Sequence, residues 1–480
     1  MKLAELLEGL TYETAAGSTD REVTGLAYDS RKVAPGDVFF CIRGLQTDGH
    51  KYAAQAAAAG AVALVCEEAP AGLPENVAVI VTPDSRVAMA QAADTWCGHP
   101  TEQLRLVGIT GTNGKTTTTY LLRSILMDAG RKTGVIGTIG NMVGDKMLHA
   151  EHTTPESLDL SLLMREMVDA GVQDVFMEVS SHALALHRVD GCRYRVGVFT
   201  NLTQDHLDYH KTMENYKQAK GLLFARCEKA VVNADDEAGA YMAARCPGEV
   251  LTYAIDRPAD LRAEQVEITA TGVSFQLDYA GKQWPVRLAI PGKFSVYNAL
   301  GAIGACLHLG VPMETILQGL SENRGVPGRF QTIPGKHGFN AIVDYAHTPD
   351  GLENILKTAR EFTKGRIITV FGCGGDRDRT KRPIMGKIAG TLSDYCVITS
   401  DNPRTENPET ILLDVEVGMQ RTSCEYEKEL DRRKAIFRAV ELARPGDLVV
   451  VAGKGHEDYQ IFADRTIHFD DVEVVKEALQ

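Results

Sequence analysis

Between Gly108 and Thr117 the chain reads Gly-Ile-Thr-Gly-Thr-Asn-Gly-Lys-Thr-Thr. Glycines at 108, 111 and 114 let backbone N–H groups turn inward around phosphate oxygens, and a helix starting at Lys115 adds the partial positive charge of its N-terminus. Lys115 is placed to reach the β- and γ-phosphates of a nucleotide, and the Thr116 hydroxyl to ligate Mg²⁺. Gly111, Thr112, Asn113, Gly114, Lys115, Thr116 and Thr117 are therefore the candidate ATP-binding residues. An ordinary glycine-rich turn would explain the glycines, but not the Lys-Thr pair directly behind them. The spacing is a variant, because Ile109 stands where the usual phosphate loop has its first glycine.

Carboxylate and imidazole groups follow. Glu178 ends the apolar run from Asp174 and is followed by Ser180-Ser181-His182, and the stretch Asn201 to His210 contains Asp205, His206, Asp208 and His210. A phosphate loop gathers anionic oxygens, and such a site needs cations, which carboxylates and imidazoles can hold. Alone, Glu178 reads equally as a solvated turn residue, and His206-Leu207-Asp208-Tyr209-His210 as a helix cap or surface cluster. Lys220 alone reads as a solvated charge on a helix.

Four more polar stretches each follow an apolar run: Asp344-Tyr345-Ala346-His347, Gly372 to Asp378, Asp401-Asn402-Pro403-Arg404, and Gly453-Lys454-Gly455-His456-Glu457. The last three together would put arginines and a carboxylate at one sheet edge, which suits an amino acid with ammonium and carboxylate ends. The Arg404 guanidinium can pair bidentately with a carboxylate. By itself Asn402-Pro403 is a turn dipeptide.

The elements that must position these residues can be read from hydrophobic spacing. Asp37 to Ile42 and Val77 to Val81 read as strands and Tyr52 to Ala59 as a helix, a small α/β unit closed by the breaker Gly98-His99-Pro100. Leu104 to Ile109 opens a new strand, Lys115 to Ala129 reads as a helix stopped at Gly130, and Asp174 to Val179 and Val196 to Phe199 continue a mostly parallel sheet. Alternation at Val266, Ile268, Val273 and Phe275 predicts an antiparallel appendage over about 252–287. A third unit begins after Gly325 to Phe330, with strands at Ala341 to Val343, Ile367 to Phe371, Tyr395 to Ile398 and Leu448 to Val451. Its stripe Leu352, Ile355, Leu356, Ala359 and Phe362 reads as core packing. The expected fold class is α/β in three domains: 1–102, a central phosphate-loop domain of mostly parallel sheet at 103–331, and a Rossmann-like α/β domain at 332–480.

Composition narrows the partners. With 480 residues, 44% hydrophobic and 24% charged, the chain has the balance of a soluble globular protein. A net charge of −13 argues against nucleic acid as the main partner. Ten cysteines without a Cys-x-x-Cys pair suggest neither structural zinc nor a redox motif. No run approaches the ~20 apolar residues of a membrane span, so a cytoplasmic location without membrane attachment is expected.

Gly111 to Thr116, Met177 to His182, Asn201 to His210, Gly292 to Leu300, Asp344 to Pro349 and Asp401 to Arg404, in this order over essentially the whole chain, resemble the Mur ligase family and the related folylpolyglutamate synthetases. These enzymes join a carboxylate to an amine with hydrolysis of ATP. The resemblance implies catalytic roles for Lys115, Glu178, His206 and Lys220, with two Mg²⁺ ions held by Thr116, Glu178, His206 and Lys220 as a carbamate. Asp208 and His210 become candidates for orienting the ligands. It implies ATP contacts from Asn298, Asp344 and His347. Ser295 stands where the family commonly has Asn.

For the substrate ends, the resemblance implies that Ala27 to Lys32 and Gly44 to Gly49 form a UDP-binding edge with Ser30. Thr153, Thr154, Ser180 and Arg188 would hold the muramoyl-peptide part, with Leu186 where some relatives are polar. Arg377, Asp401, Asn402, Pro403, Arg404, Gly453 and Glu457 would hold meso-diaminopimelate. The implied partners are UDP-MurNAc-L-Ala-D-Glu, meso-diaminopimelate and ATP, acting on a monomer. Arg404 selects the acceptor, because lysine lacks the distal carboxylate it would pair with, and lysine-adding relatives lack this arginine. The alternatives are a lysine-adding relative, folylpolyglutamate synthesis, which lacks the UDP-type first domain and the Asn-Pro-Arg run, and a non-catalytic nucleotide-dependent scaffold, which would not need Glu178, His206 and Lys220 together.

Overall fold

The computed structural model describes all residues except 45, 46, 270, 324, 336 and 337, so Leu45 and Gln46 of the expected UDP-binding edge lie outside the described residues. The chain forms two compact units, residues 1–252 with 304–311, and residues 253–303 with 312–480. Both are α/β, as the alternating patterns predict.

The first unit contains two sheets. Its N-terminal sheet runs in the order Glu13–Ala16, Ala78–Val81, Ala63–Cys66, Asp37–Phe40 and Gly25–Ala27, parallel except at the first strand. The strands Asp37–Phe40 and Ala63–Cys66 are buried along their whole length, consistent with their continuous rather than alternating apolar character. The second sheet orders Cys227–Asn233, Tyr194–Phe199, Arg105–Thr110, Asp174–Glu178 and Thr133–Ile136 in parallel. Strand Arg105–Thr110 therefore lies between the strands ending at Phe199 and Glu178, with Ile109 in register with both Val198 and Glu178. Three loops leave this one edge: the glycine-rich loop, the loop after Glu178, and the loop after Phe199. Open parallel sheets bind ligands at such an edge.

The second unit contains the antiparallel meander Leu261–Thr269, Gly272–Tyr279 and Lys282–Leu288, where the sequence expects it. A register shift between Glu264 and Glu267, with Gln265 at φ +50°, marks a bulge that the alternation pattern does not reveal. Its larger sheet runs Gln331–Pro334, Asn340–Asp344, Leu448–Ala452, Ile367–Phe371, Tyr395–Thr399 and Glu425–Glu429, parallel after the first pair. The four polar stretches singled out in this part of the sequence leave the C-terminal ends of four adjacent strands. Helix Pro349–Phe362 is started by Pro349 and by the Thr348 hydroxyl, which accepts the Gly351 N–H at 3.2 Å. It buries Leu352, Ile355, Leu356 and Ala359 of the predicted stripe, and Phe362 remains half-buried.

All ten cysteines are free thiols, and eight are buried. Among the described residues no helix is long and apolar enough to cross a membrane.

Candidate active site

The glycine-rich loop connects a buried strand to helix Lys115–Asp128, whose N-cap is Gly114 in the left-handed conformation at φ +86°. Gly111 is required twice over. Its φ is +152°, and a Cβ there would lie 1.8 Å from the Thr200 hydroxyl. The loop is braced from behind: Thr112 N–H donates to Asn201 O at 2.9 Å, Asn113 N–H to Asn201 Oδ1 at 2.9 Å, and the Thr200 hydroxyl to Asn113 O at 2.6 Å. Lys115 Nζ is folded onto the loop, donating to Gly111 O at 2.9 Å and Thr112 O at 2.8 Å.

Thr116 and Glu178 meet as the register demands. The Thr116 hydroxyl donates to Glu178 Oε2 at 2.9 Å. Thr138 donates to the same carboxylate, from N–H to Oε1 and from its hydroxyl to Oε2, both at 3.0 Å. Glu178 is 1% exposed, so the solvated-turn reading is excluded. Thr153 and Thr154 belong to this group. Thr153 Oγ1 lies 3.1 Å from Thr138 Oγ1, and Thr154 donates to Glu178 O at 2.8 Å while accepting the Ser180 N–H at 3.1 Å. Ser180 caps helix Ser181–Ala185 through the Ala183 N–H.

On the other flank, Lys220 is not a solvated charge but is 1% exposed. Its Nζ donates to Gly111 O at 2.8 Å and lies 4.4 Å over the Tyr216 ring. Burial, and then the positive charge of Lys115, hold its pKa well below the usual lysine range. Helix Met213–Gly221, capped by Thr212, presents both Tyr216 and Lys220, four residues apart and so on one face. The Tyr216 ring also packs against His206 and His210, at 6.1 and 5.1 Å between centroids. His206 is half-exposed and caps the short helix Leu207–His210 with a left-handed backbone, φ +52°. His210 is buried and bonded to the Ser181 hydroxyl at 2.9 Å, which fits an orienting role. Burial beside His206 and His210 pushes His182 down to about 4.

The structure thus brings the predicted ligands to one loop in two groups, Glu178 with Thr116 and His206 with Lys220. Among the described residues no three His, Cys, Asp or Glu side chains are arranged so that they could together hold a metal ion. Arg188 is already paired: Nη2 meets Glu156 at 2.8 Å and Nη1 donates to Thr154 O at 3.1 Å, while Arg86 takes the same Glu156 at 3.0 Å. Ser30 stands apart from this group, against Gln55 at 3.4 Å.

In the second unit a cavity of about 300 Å³ opens among the four loops. Arg377, Asp401, Asn402, Arg404, Gly453 and Glu457 all line it, and His347 and Lys381 stand on the same wall. Pro403, expected beside them, does not line the cavity, because its carbonyl packs against Gly375, where a Cβ would come within 1.9 Å of it. Glu457 Oε2 accepts from Asn402 Nδ2 at 2.9 Å and from Lys454 Nζ at 3.0 Å. Lys454 is fully buried. Arg404 Nη1 donates to Gly375 O at 2.9 Å. The Asp344 carboxylate accepts the N–H groups of Phe330 at 2.6 Å and Ala346 at 2.8 Å, so it shapes the loop that carries His347. Asn298 is buried in helix Lys293–His308, and Ser295 bonds to Pro291 O at 2.8 Å.

Sequence reasoning missed Thr138, Asn201, Lys381 and Lys454. Lys454 carried a signal, standing between two glycines of a stretch already singled out, and Asn201 opened another such stretch. The others act through contacts that cross the sequence.

Known proteins resemble the whole chain. Residues 22–96 match a model described as the Mur ligase family catalytic domain, 109–306 the Mur ligase middle domain, and 328–455 the Mur ligase glutamate ligase domain. A UDP-N-acetylmuramoyl-L-alanyl-D-glutamate--2,6-diaminopimelate ligase of Clostridium botulinum is 49% identical over 484 residues, covering 100% of both chains. A solved structure of a protein with that enzyme name is 33% identical, covers 100% of this chain and 98% of its own, and superposes with a TM-score of 0.73. The folylpolyglutamate synthase of Mycobacterium tuberculosis, solved with ADP and AMPPCP, covers 77% of this chain and 93% of its own at 18% identity and a TM-score of 0.63, a likeness of fold.

Proposed function

The chain belongs to the Mur ligase family, and from that premise we propose how its residues divide the work. It is an ATP-dependent amide-forming ligase that adds meso-diaminopimelate to UDP-N-acetylmuramoyl-L-alanyl-D-glutamate in peptidoglycan precursor synthesis. The observation that carries the active-site reading is the Thr116 hydroxyl on Glu178 at 2.9 Å, directly behind a phosphate loop.

In the reaction the D-glutamyl γ-carboxylate attacks the γ-phosphorus of ATP and ADP leaves. The diaminopimelate amine then attacks the acyl carbon, phosphate leaves with the bond electrons, and the nitrogen releases one proton to solvent as the amide forms. Gly111 to Thr117 cradle the phosphates with backbone N–H groups, and Lys115 moves from its own loop carbonyls to the β/γ oxygens. Asn298, Asp344 and His347 are further contacts for the nucleotide. Arg188 exchanges Glu156 for a substrate carboxylate, Thr153, Thr154 and Ser180 position the peptide, and Ser30 takes the uridine end.

The donor set fits Mg²⁺, since a hydroxyl and a carboxylate already converge at Thr116 and Glu178, and Lys220 as a carbamate adds oxygens where a buried amine meets Gly111. Thr116, Glu178, His206 and carbamylated Lys220 would hold two ions, which when bound neutralise phosphate charge. Arg377 and Arg404 bind the acceptor carboxylates, Asp401 and Glu457 its remaining ammonium, with Asn402 and Gly453 shaping the wall. We place the domain boundaries near residues 102 and 331, and the enzyme in the cytoplasm as a monomer.

Phosphate release with UDP-muramoyl-dipeptide and either diaminopimelate or lysine tests this reading. Turnover with diaminopimelate far above lysine is expected. A preference for lysine would overturn the acceptor assignment, and turnover with neither would overturn the ligase.

A further inference from the structure

The loop after Phe371 and the loop after Thr399, which carry Arg377 and Arg404, are tied to each other more heavily than the cavity itself requires. Gly375 N–H donates to Asn402 O at 2.9 Å, and Arg404 Nη1 returns a bond to Gly375 O at 2.9 Å. Asp376 accepts from the Thr405 hydroxyl at 2.7 Å and the Thr405 N–H at 3.2 Å. Asp376 N–H donates to Glu406 Oε1 at 2.6 Å. Glu406 is gripped by the fully buried Arg382, with Nη1 at 2.9 Å and Nη2 at 2.8 Å. The same guanidinium reaches Asp414 at 2.9 Å and Gly374 O at 3.2 Å.

Two residues in these loops are non-glycine residues in the left-handed region, Asp376 at φ +53° and Arg404 at φ +52°. Such conformations are strained for a residue with a Cβ and persist where surrounding contacts over-determine them. Both sit inside the same clamp, and one of them is the residue that reads the acceptor.

We propose that Glu406 and Asp376 are positioning residues for acceptor selection, which hold the Arg404 guanidinium where it meets the distal carboxylate of diaminopimelate. Neither touches the acceptor. Glu406 fixes Asp376 and the Gly375 carbonyl, and these fix Arg404. The inference rests on the assignment of the cavity to the acceptor amino acid.

The test uses Glu406→Gln and Asp376→Asn in the full-length enzyme, with Arg404→Ala and the double variant Glu406→Gln/Arg404→Ala in parallel. Asp376 is exposed and Glu406 partly so, and a Tm measured for each variant shows that it is folded. The KM for diaminopimelate should rise about tenfold in each single clamp variant, while the KM for ATP stays within about twofold, and the ratio of kcat/KM for diaminopimelate over lysine should fall. The double variant should be no worse than Arg404→Ala alone, because a residue acting through Arg404 adds nothing once it is gone. An unchanged KM for diaminopimelate in the clamp variants, equal rises for both substrates, or additive losses in the double variant would overturn the proposal. If Arg404→Ala itself leaves the KM for diaminopimelate unchanged, the cavity assignment falls, and the clamp with it.

Discussion

The Lys220 ammonium nitrogen lies 2.8 Å from the carbonyl oxygen of Gly111, fixing a lysine from helix Met213–Gly221 against the first residue of the phosphate-loop turn. A buried lysine facing a carbonyl, with no carboxylate bonded to it among the described residues, is poorly satisfied as a cation. Addition of CO₂ to its neutral amine, with release of a proton, would give an anion beside Gly111 and Tyr216.

Carbon-13 bicarbonate should therefore label the wild-type protein with one carbamate signal by NMR, and Lys220→Ala should remove it. That variant should lose on the order of 100-fold or more in kcat while still binding ATP. An unlabelled but fully active enzyme would rule out the carbamate.

Gly111→Ala should abolish nucleotide binding. Its Cβ would be driven to 1.8 Å from the Thr200 hydroxyl and its φ of +152° is strained for alanine, so the loop must shift. Titration of a fluorescent ATP analogue should show a loss of roughly 100-fold or more in affinity, well beyond the ~1 kcal/mol of an ordinary Gly→Ala strain. Wild-type affinity would show that the loop tolerates a different backbone.

Lys454→Met removes the cation that shares Glu457 with Asn402 and leaves a carboxylate short of a partner in a largely buried wall. Breaking a buried charge pair by removing one partner is strongly destabilising, by about 3–5 kcal/mol. The KM for diaminopimelate should rise more than the KM for ATP, and Tm should fall. A neutral outcome in both would mean that Asn402 alone fixes Glu457.

Glu406 supplies a pH test. The Arg382 guanidinium holds its carboxyl down to about 2, from an ordinary 4.5. A depressed carboxyl stabilises the fold above the unfolded pKa and loses that contribution as pH falls through the folded one. The Tm difference between wild type and Glu406→Gln should thus be constant above pH 4.5 and shrink toward zero as the pH approaches 2. A difference that persists unchanged at pH 2 would assign it to packing.

Much of the site was legible as segments. The strand-loop-helix around Lys115 and the apolar runs Asp174 to Val179, Ile367 to Phe371, Tyr395 to Ile398 and Leu448 to Val451 indicated which loops would share a sheet edge, because parallel strands align their C-terminal ends. The alternation over Leu261 to Leu288 likewise announced the antiparallel meander. Lys220 was different: its helix was readable but its burial was not, since a single lysine carries no periodic signal.

By itself the sequence determined the α/β class and the phosphate loop, because glycine spacing and hydrophobic period are local properties, whereas Glu178, His206 and Lys220 became candidate ligands only through the resemblance to the Mur ligase family. Only the tertiary structure decided who partners whom. Glu156 holds Arg86 and Arg188, Lys454 shares Glu457 with Asn402, Pro403 turns away from the cavity beside it, and Arg382 grips a glutamate 24 residues on. Each of these depends on strand register and on where a long side chain finds a counter-charge out of water, and neither is encoded in the spacing of neighbours along the chain.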